Sequence, residues 1–181
     1  MPNYVLTGAP GAGKTAIVRQ LEVDGYRVVA EAATDVIELE QALGHLEPHT
    51  RPDFIKKIVE LQRRRQSAAD TPDGDVVFFD RSPVCTLALS RWMGYAESAE
   101  LATEVDRVLQ AGIYAPTVFF VGSLGFVTPT AARRISLADS LAFEQVHRHT
   151  YTELGFRLVD VPAGPLAVRV GLVRRSAGLS V

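Results

Sequence analysis

The 181 residues contain a single cysteine, Cys85, a single asparagine, Asn3, and three lysines, Lys14, Lys56 and Lys57. One cysteine excludes an internal disulfide and fits a reducing compartment. Arginine therefore carries most of the positive charge, and the formal net charge is only −2. No overall basic field exists to hold a nucleic acid backbone, so no nucleic acid partner is expected. The N-terminal Met1-Pro-Asn-Tyr-Val-Leu-Thr-Gly has neither the basic segment nor the long apolar run of a secretory signal. The stretch Val108–Ala132 lacks formal charge and is long enough to suggest a membrane span. Pro116, Gly122, Gly125 and Pro129 interrupt it, and a helix end, a strand and a loop account for it better. A cytoplasmic protein without membrane attachment is expected. With 47% hydrophobic and 22% charged residues, disordered, collagen-like and coiled-coil classes are excluded. The length suits one domain over residues 1–181.

Strand and helix signals alternate along the chain. Tyr4–Thr7 is a short apolar run stopped by glycine, and Ala12–Leu21 carries Ile17, Val18 and Leu21 at helical spacing. Tyr26–Ala30 predicts a second strand, Ala32–Leu43 a helix, and Pro52 opens a longer helix with the stripe Phe54, Ile55, Ile58 and Leu61. Pro72-Asp73-Gly74 predicts a turn. Val76–Phe79 is apolar on both faces, as in the middle of a parallel sheet. Ser82 reads as an N-cap, with Pro83 at the first helical position of a helix running to about Met93. A further helix spans Ser98–Ala111, a fourth strand Thr117–Val121, a loop Phe126–Ala132, a helix Ile135–Leu154, a fifth strand Phe156–Val161 and a closing helix Leu166–Arg175. Repeated βα units imply an α/β fold with a parallel sheet and helices on both faces, whose ligands bind beyond the C-terminal strand ends.

Gly8-Ala9-Pro10-Gly11-Ala12-Gly13-Lys14-Thr15 matches G-x-x-x-x-G-K-[ST] in full, between a predicted strand and a predicted helix that continues through Ala16. Glycines let backbone N–H groups approach phosphate oxygens, and the helix N-terminus adds partial positive charge. Lys14 is expected to reach the β and γ phosphates of ATP, and Thr15 to offer its hydroxyl to Mg²⁺. GTPases read guanine with Asn-Lys-x-Asp, and the lone Asn3 precedes the phosphate loop, so that class is excluded. Large mechanical ATPases need more domains than this length provides. A small kinase or a nucleotide-dependent switch remains.

Two features favour the kinase. Phe79-Asp80-Arg81-Ser82 lies at a strand end, where Asp80 can hold Mg²⁺ and Arg81 sets a fork of donors beside phosphates or acceptor. Glu31 follows the second strand and would face the same crevice, where it could accept the proton of an acceptor hydroxyl or orient that hydroxyl. Glutamate in a first helical turn is also favoured by the helix dipole alone. In addition, Arg133 and Arg134 follow the predicted loop. Either could be a lid cation that neutralises charge on the transferred group, in a lid over about residues 126–140.

These segments resemble the kinase-like P-loop AAA-domain family that includes the ribosylnicotinamide-kinase domain and small predicted bacterial ATPases. The resemblance rests on GAPGAGKT, EAATDVI, FFDRSPV and TELGFRLVDVP, spread over nearly the whole chain. FDRS also looks like the Asp/Glu-Arg-Ser segment of deoxynucleoside kinases, in which a glutamate after strand two is the base. The resemblance implies a P-loop three-layer sandwich with sheet order 2-3-1-4-5 and a mobile helical lid. It also implies that Lys14 and Thr15 bind triphosphate and Mg²⁺, that Glu31 is the base, that Asp80 and Arg81 serve metal and acceptor, and that Arg133 or Arg134 serves the lid. The expected activity is transfer of the γ-phosphate of ATP to a hydroxyl of a small acceptor, for which a nucleoside-like molecule is one candidate. The alternatives are a regulatory ATP-binding module with a protein partner and an antibiotic-modifying phosphotransferase. A homodimer is left open.

Weaker signals carry mostly structural readings. Arg63-Arg64-Arg65 reads as a solvated helix face. His147 and His149, two apart, would point to different sides of a helix and make no zinc site. Cys85 reads as a small core residue. Trp92 and Met93 suit either an acceptor wall or core packing. In similar kinases the region after the last strand lies against adenine, so the resemblance implies a weak nucleotide contact at the loop Pro162–Pro165.

Overall fold

The computed structural model describes residues 2–69, 75–126 and 135–180. Its strands are β1 (Asn3–Thr7), β2 (Arg27–Val29), β3 (Val77–Asp80), β4 (Thr117–Val121) and β5 (Arg157–Val161). They form one parallel sheet in the order β2-β3-β1-β4-β5, the expected arrangement. The helices are α1 (Lys14–Val23), α2 (Ala32–Ala42), α3 (Phe54–Ala69), α4 (Pro83–Trp92), α5 (Ala99–Gln110), α6 (Leu137–Glu153) and α7 (Leu166–Ser176), with a 3-10 turn at Pro48–Thr50. The expected turn at Pro72-Asp73-Gly74 and most of the expected loop Phe126–Ala132 lie outside the described residues.

The apolar strands are explained by burial on two sides. Every residue of β3 and β4 is buried. Side chains alternate between faces along a strand. Leu6, Phe78 and Phe119 pack with Ile17, Leu21, Val170 and Val173 of α1 and α7. Val5, Val77, Phe79 and Val118 pack on the other face with Val84, Val108 and Tyr151 of α4, α5 and α6. A third cluster, including Val36, Ile58, Leu87 and Leu101, knits α2, α3, α4 and α5 together. The register sets Leu6 beside Asp80 on one side and Phe119 on the other, so the end of β1 is central.

Three local readings change. The inward face of α3 runs past half-buried Leu61, which packs against the third cluster, and continues through buried Gln62 and Gln66. Both amides have partners, since Gln62 Oε1 accepts from the Thr86 hydroxyl at 2.9 Å and Gln66 Oε1 from Arg107 at 2.8 Å. Ser82 occupies the N-cap position of α4, but its hydroxyl lies 2.7 Å from the Tyr151 hydroxyl and makes no cap bond. Arg65 is not part of a solvated face. It donates to the carbonyls of Ala30 (3.1 Å) and Glu31 (2.6 Å) and pairs with Asp35, which fixes the turn from β2 into α2.

Candidate active site

The loop after β1 is built on glycine conformations. Gly8, Gly11 and Gly13 have φ of 124°, 81° and 83°, which side-chain-bearing residues resist. A Cβ on Gly8 would sit 2.3 Å from the Val121 carbonyl oxygen, a backbone atom of β4. Gly8→Ala is therefore expected to destabilise the fold by about 3 kcal/mol through strain and overpacking. A denaturant midpoint equal to that of the unaltered chain would contradict the close approach. The loop's outer side is braced from α7, where Arg169 donates to Ala12 O (2.8 Å) and Gly122 O (3.2 Å). Nothing local marks Arg169, because its partners lie far away in the chain.

Lys14 opens α1, whose first N–H groups have no intrahelical acceptor. The residue is 5% exposed, and its ammonium donates to Gly8 O (3.0 Å) and Ala9 O (2.7 Å). Burial, then the charge of Arg81, lowers its pKa to about 7. A triphosphate in the loop would restore the charged form. In metal-free buffer, ATP binding at pH 8 is expected to take up close to one proton, and affinity to fall as pH rises above 8. Calorimetry in two buffers of different ionisation enthalpy measures the uptake, and Lys14→Ala should abolish it.

At the adjacent strand end, the Thr15 hydroxyl donates to Asp80 Oδ2 at 2.8 Å. Asp80 Oδ1 is buried without a partner among the described residues. Burial, then the Glu31 charge, pushes the Asp80 carboxyl above its usual range. A hydroxyl, an orphaned carboxylate oxygen and that unfavourable burial together suit a divalent cation. Among the described residues no group of three or more His, Cys, Asp or Glu side chains could hold a metal. Such an ion would thus depend on Thr15, Asp80 and phosphate oxygens.

Glu31 stands at the N-cap of α2 and makes no cap bond. One carboxylate oxygen pairs with Arg81 Nε, and the other accepts from the Thr34 hydroxyl at 2.9 Å. Burial pushes the Glu31 carboxyl up, but Arg81, Lys14 and these hydrogen bonds hold it below the ordinary glutamate range. Arg81 is the one non-glycine residue with positive φ, 77°, among those described. Its amide donates to Leu6 O at 3.1 Å, tying the bend to β1. Glu31, Asp80, Arg81, Lys14 and Thr15 are thus brought together as expected. Arg133 and Arg134 lie outside the described residues.

A cavity of about 500 Å³ runs from this cluster between α2, α3, α4 and α6. Lys14, Thr15, Glu31 and Arg81 line one end. Phe54, Leu89, Trp92, Met93 and Phe143 provide apolar walls, with Gln62 and Thr86 among them. Trp92 and Met93 thus face the cavity, and Trp92 stacks on Phe143 at 5.4 Å. Cys85 is buried as expected but also touches the cavity, with its sulfur 3.2 Å from Thr7 Oγ1 and 3.1 Å from the Tyr151 hydroxyl. The loop Pro162–Pro165 does not line the cavity. His149 is exposed, whereas His147 is fully buried against Arg81, a contact that the spacing argument missed.

No curated protein matches the chain. Among solved structures, a NadR protein in complex with NAD and AMP-PNP superimposes with a TM-score of 0.70 at 16% identity, over 99% of this chain and 50% of that one. This chain therefore spans about half the length of NadR. Thymidylate kinase from Candida albicans gives a TM-score of 0.60 at 8% identity, over 98% and 91% of the two chains. Deoxyadenosine kinase from M. mycoides with bound dATP gives 0.56 at 14% identity, over 98% and 100%. These likenesses establish a kinase-like P-loop fold. The AAA domain family is matched over residues 3–169, and the chain belongs to that family.

Proposed function

We infer that the chain is a phosphotransferase that moves the γ-phosphoryl group of ATP to a hydroxyl of a small, unphosphorylated molecule. The observation that carries this reading is the convergence of the phosphate loop, the Thr15–Asp80 contact and the Glu31–Arg81 pair on one end of a 500 Å³ cavity. That volume suits a small ligand. The aromatic walls and the Gln62–Thr86 pair favour a flat, hydrogen-bonding acceptor such as a nucleoside. Among the described cavity residues the only Lys or Arg side chains are Lys14 and Arg81, both at the phosphate end. Among the described cavity residues there is no second cationic cluster to suit a phosphate on the acceptor.

In this mechanism the loop amides and the first turn of α1 hold the triphosphate, and Lys14 turns from Gly8 O and Ala9 O toward it. Thr15 and Asp80 would hold Mg²⁺, which when bound neutralises charge on the phosphate oxygens. Glu31 accepts a hydrogen bond from the acceptor hydroxyl and takes its proton late. Its lowered basicity suits a loose transition state that needs little activation of the nucleophile. Arg81 presents its remaining guanidinium edge to the reacting groups. Arg133 or Arg134 supplies a further cation from the lid. Positioning and charge neutralisation carry most of the rate enhancement.

The test is a phosphoryl-transfer screen with γ-labelled ATP and Mg²⁺ against nucleosides, other hydroxylated metabolites and aminoglycoside-type antibiotics. Label should move to an unphosphorylated acceptor and stimulate ATP consumption. ATP consumption unresponsive to every acceptor, together with nucleotide-dependent capture of a protein, would replace the reading with a regulatory module.

A further inference from the structure

We propose that His147 is a positioning residue that sets the orientation of the Arg81 guanidinium. His147 lies on α6 and is completely buried. Its Nδ1 is 3.1 Å from the Phe143 carbonyl oxygen, an acceptor only, so Nδ1 carries the proton. Nε2 then presents a bare lone pair, 3.1 Å from Arg81 Nη1, and accepts from it. Nη1 also donates to Gly8 O at 3.3 Å, while Nε donates to Glu31. The guanidinium plane is therefore fixed by three elements: the phosphate loop, the start of α2, and α6. Burial and the Arg81 charge hold His147 well below its ordinary pKa, which keeps this lone pair available.

The same helix touches both halves of the site. The Ser140 hydroxyl donates to Pro10 O at 2.9 Å, and the Phe143 ring lies 4.3 Å from the His147 ring and stacks on Trp92. Removing the imidazole acceptor leaves one Nη1 proton unpaired and frees the guanidinium to rotate away from the acceptor hydroxyl. The catalytic consequence rests on the transferase reading, but the hydrogen bond does not.

The experiment compares His147→Gln, which retains an acceptor oxygen, with His147→Leu, which does not, in the full chain with ATP and an acceptor found by the screen. Leucine should lower kcat about 10²-fold with the KM for ATP changed less than about threefold, and glutamine should recover most of the loss. Long-range ¹H–¹⁵N correlation at pH 7 on the unaltered protein reads the tautomer without any turnover. A protonated Nδ1 and bare Nε2 are expected, with an Arg81 Nε–H signal that broadens in the leucine variant and persists in the glutamine variant. A protonated Nε2, or equal kcat in both variants and the unaltered chain, overturns the proposal. If no acceptor is phosphorylated, the transferase reading fails, and the spectra still decide the role of His147.

Discussion

Lys14→Ala is expected to lower phosphoryl transfer by about 10²- to 10³-fold while leaving the fold at least as stable as before. The rate loss follows from deleting a desolvated cation aimed at developing phosphate charge, a contact worth about 3–4 kcal/mol in comparable electrostatic sites. The stability expectation follows from the same burial. The folded-state pKa of about 7 lies below the ordinary lysine value of 10.5. Between those values the unfolded chain binds more protons than the folded one, so stability rises with pH across the interval. The penalty on the fold is complete below pH 7 and vanishes only above the ordinary value, so at pH 7 alanine relieves a cost. Turnover and thermal melting of the variant check both halves. Retained turnover would remove the loop from the chemistry, and a collapse in melting temperature would show that the lysine holds the loop together.

Glu31→Gln should reduce transfer by about 10² to 10⁴-fold, the range for loss of a positioned proton acceptor. Glutamine keeps one oxygen for Arg81 Nε, and its NH2 can donate to the Thr34 hydroxyl, which now accepts instead of donating, so the local geometry has a reason to persist. It cannot balance the Arg81 charge, so a fall in melting temperature should accompany the rate loss. ATP affinity should change by less than about threefold, because Glu31 lies on the acceptor side of the cluster. Stopped-flow or quench measurement of transfer, set beside nucleotide titration, separates the two effects. Undiminished transfer would take Glu31 out of the proton pathway.

The parts of this site that are contiguous in sequence could be read from it. GAPGAGKT shows its own turn, glycines and helix start, and FFDR announces a strand end through an apolar run closed by charge. The two-sided burial of β3 and β4 explains why unbroken apolar runs predicted them correctly. Contacts that depend on tertiary approach were not legible. Arg65 reaches back across more than thirty residues to the β2–α2 turn, and Arg169 to the phosphate loop across more than a hundred and fifty. His147 carried one overlooked signal. It lies four residues after Phe143 and four before Tyr151, so it belongs to the apolar face of α6. Judged only by its distance from His149, it looked like a failed metal ligand. Ser82 obeyed position rules for a cap, but a tyrosine from α6 competed successfully for its hydroxyl.

The left-handed backbone at Arg81 sets folding preference and chemistry against each other at a single codon. Glycine or asparagine would sit there with less strain than arginine does. Once selection for turnover relaxed, drift would favour such replacements, leaving a well-folded nucleotide holder without its guanidinium. Paralogues that have abandoned catalysis should thus be recognisable by a small residue immediately after the aspartate that ends β3.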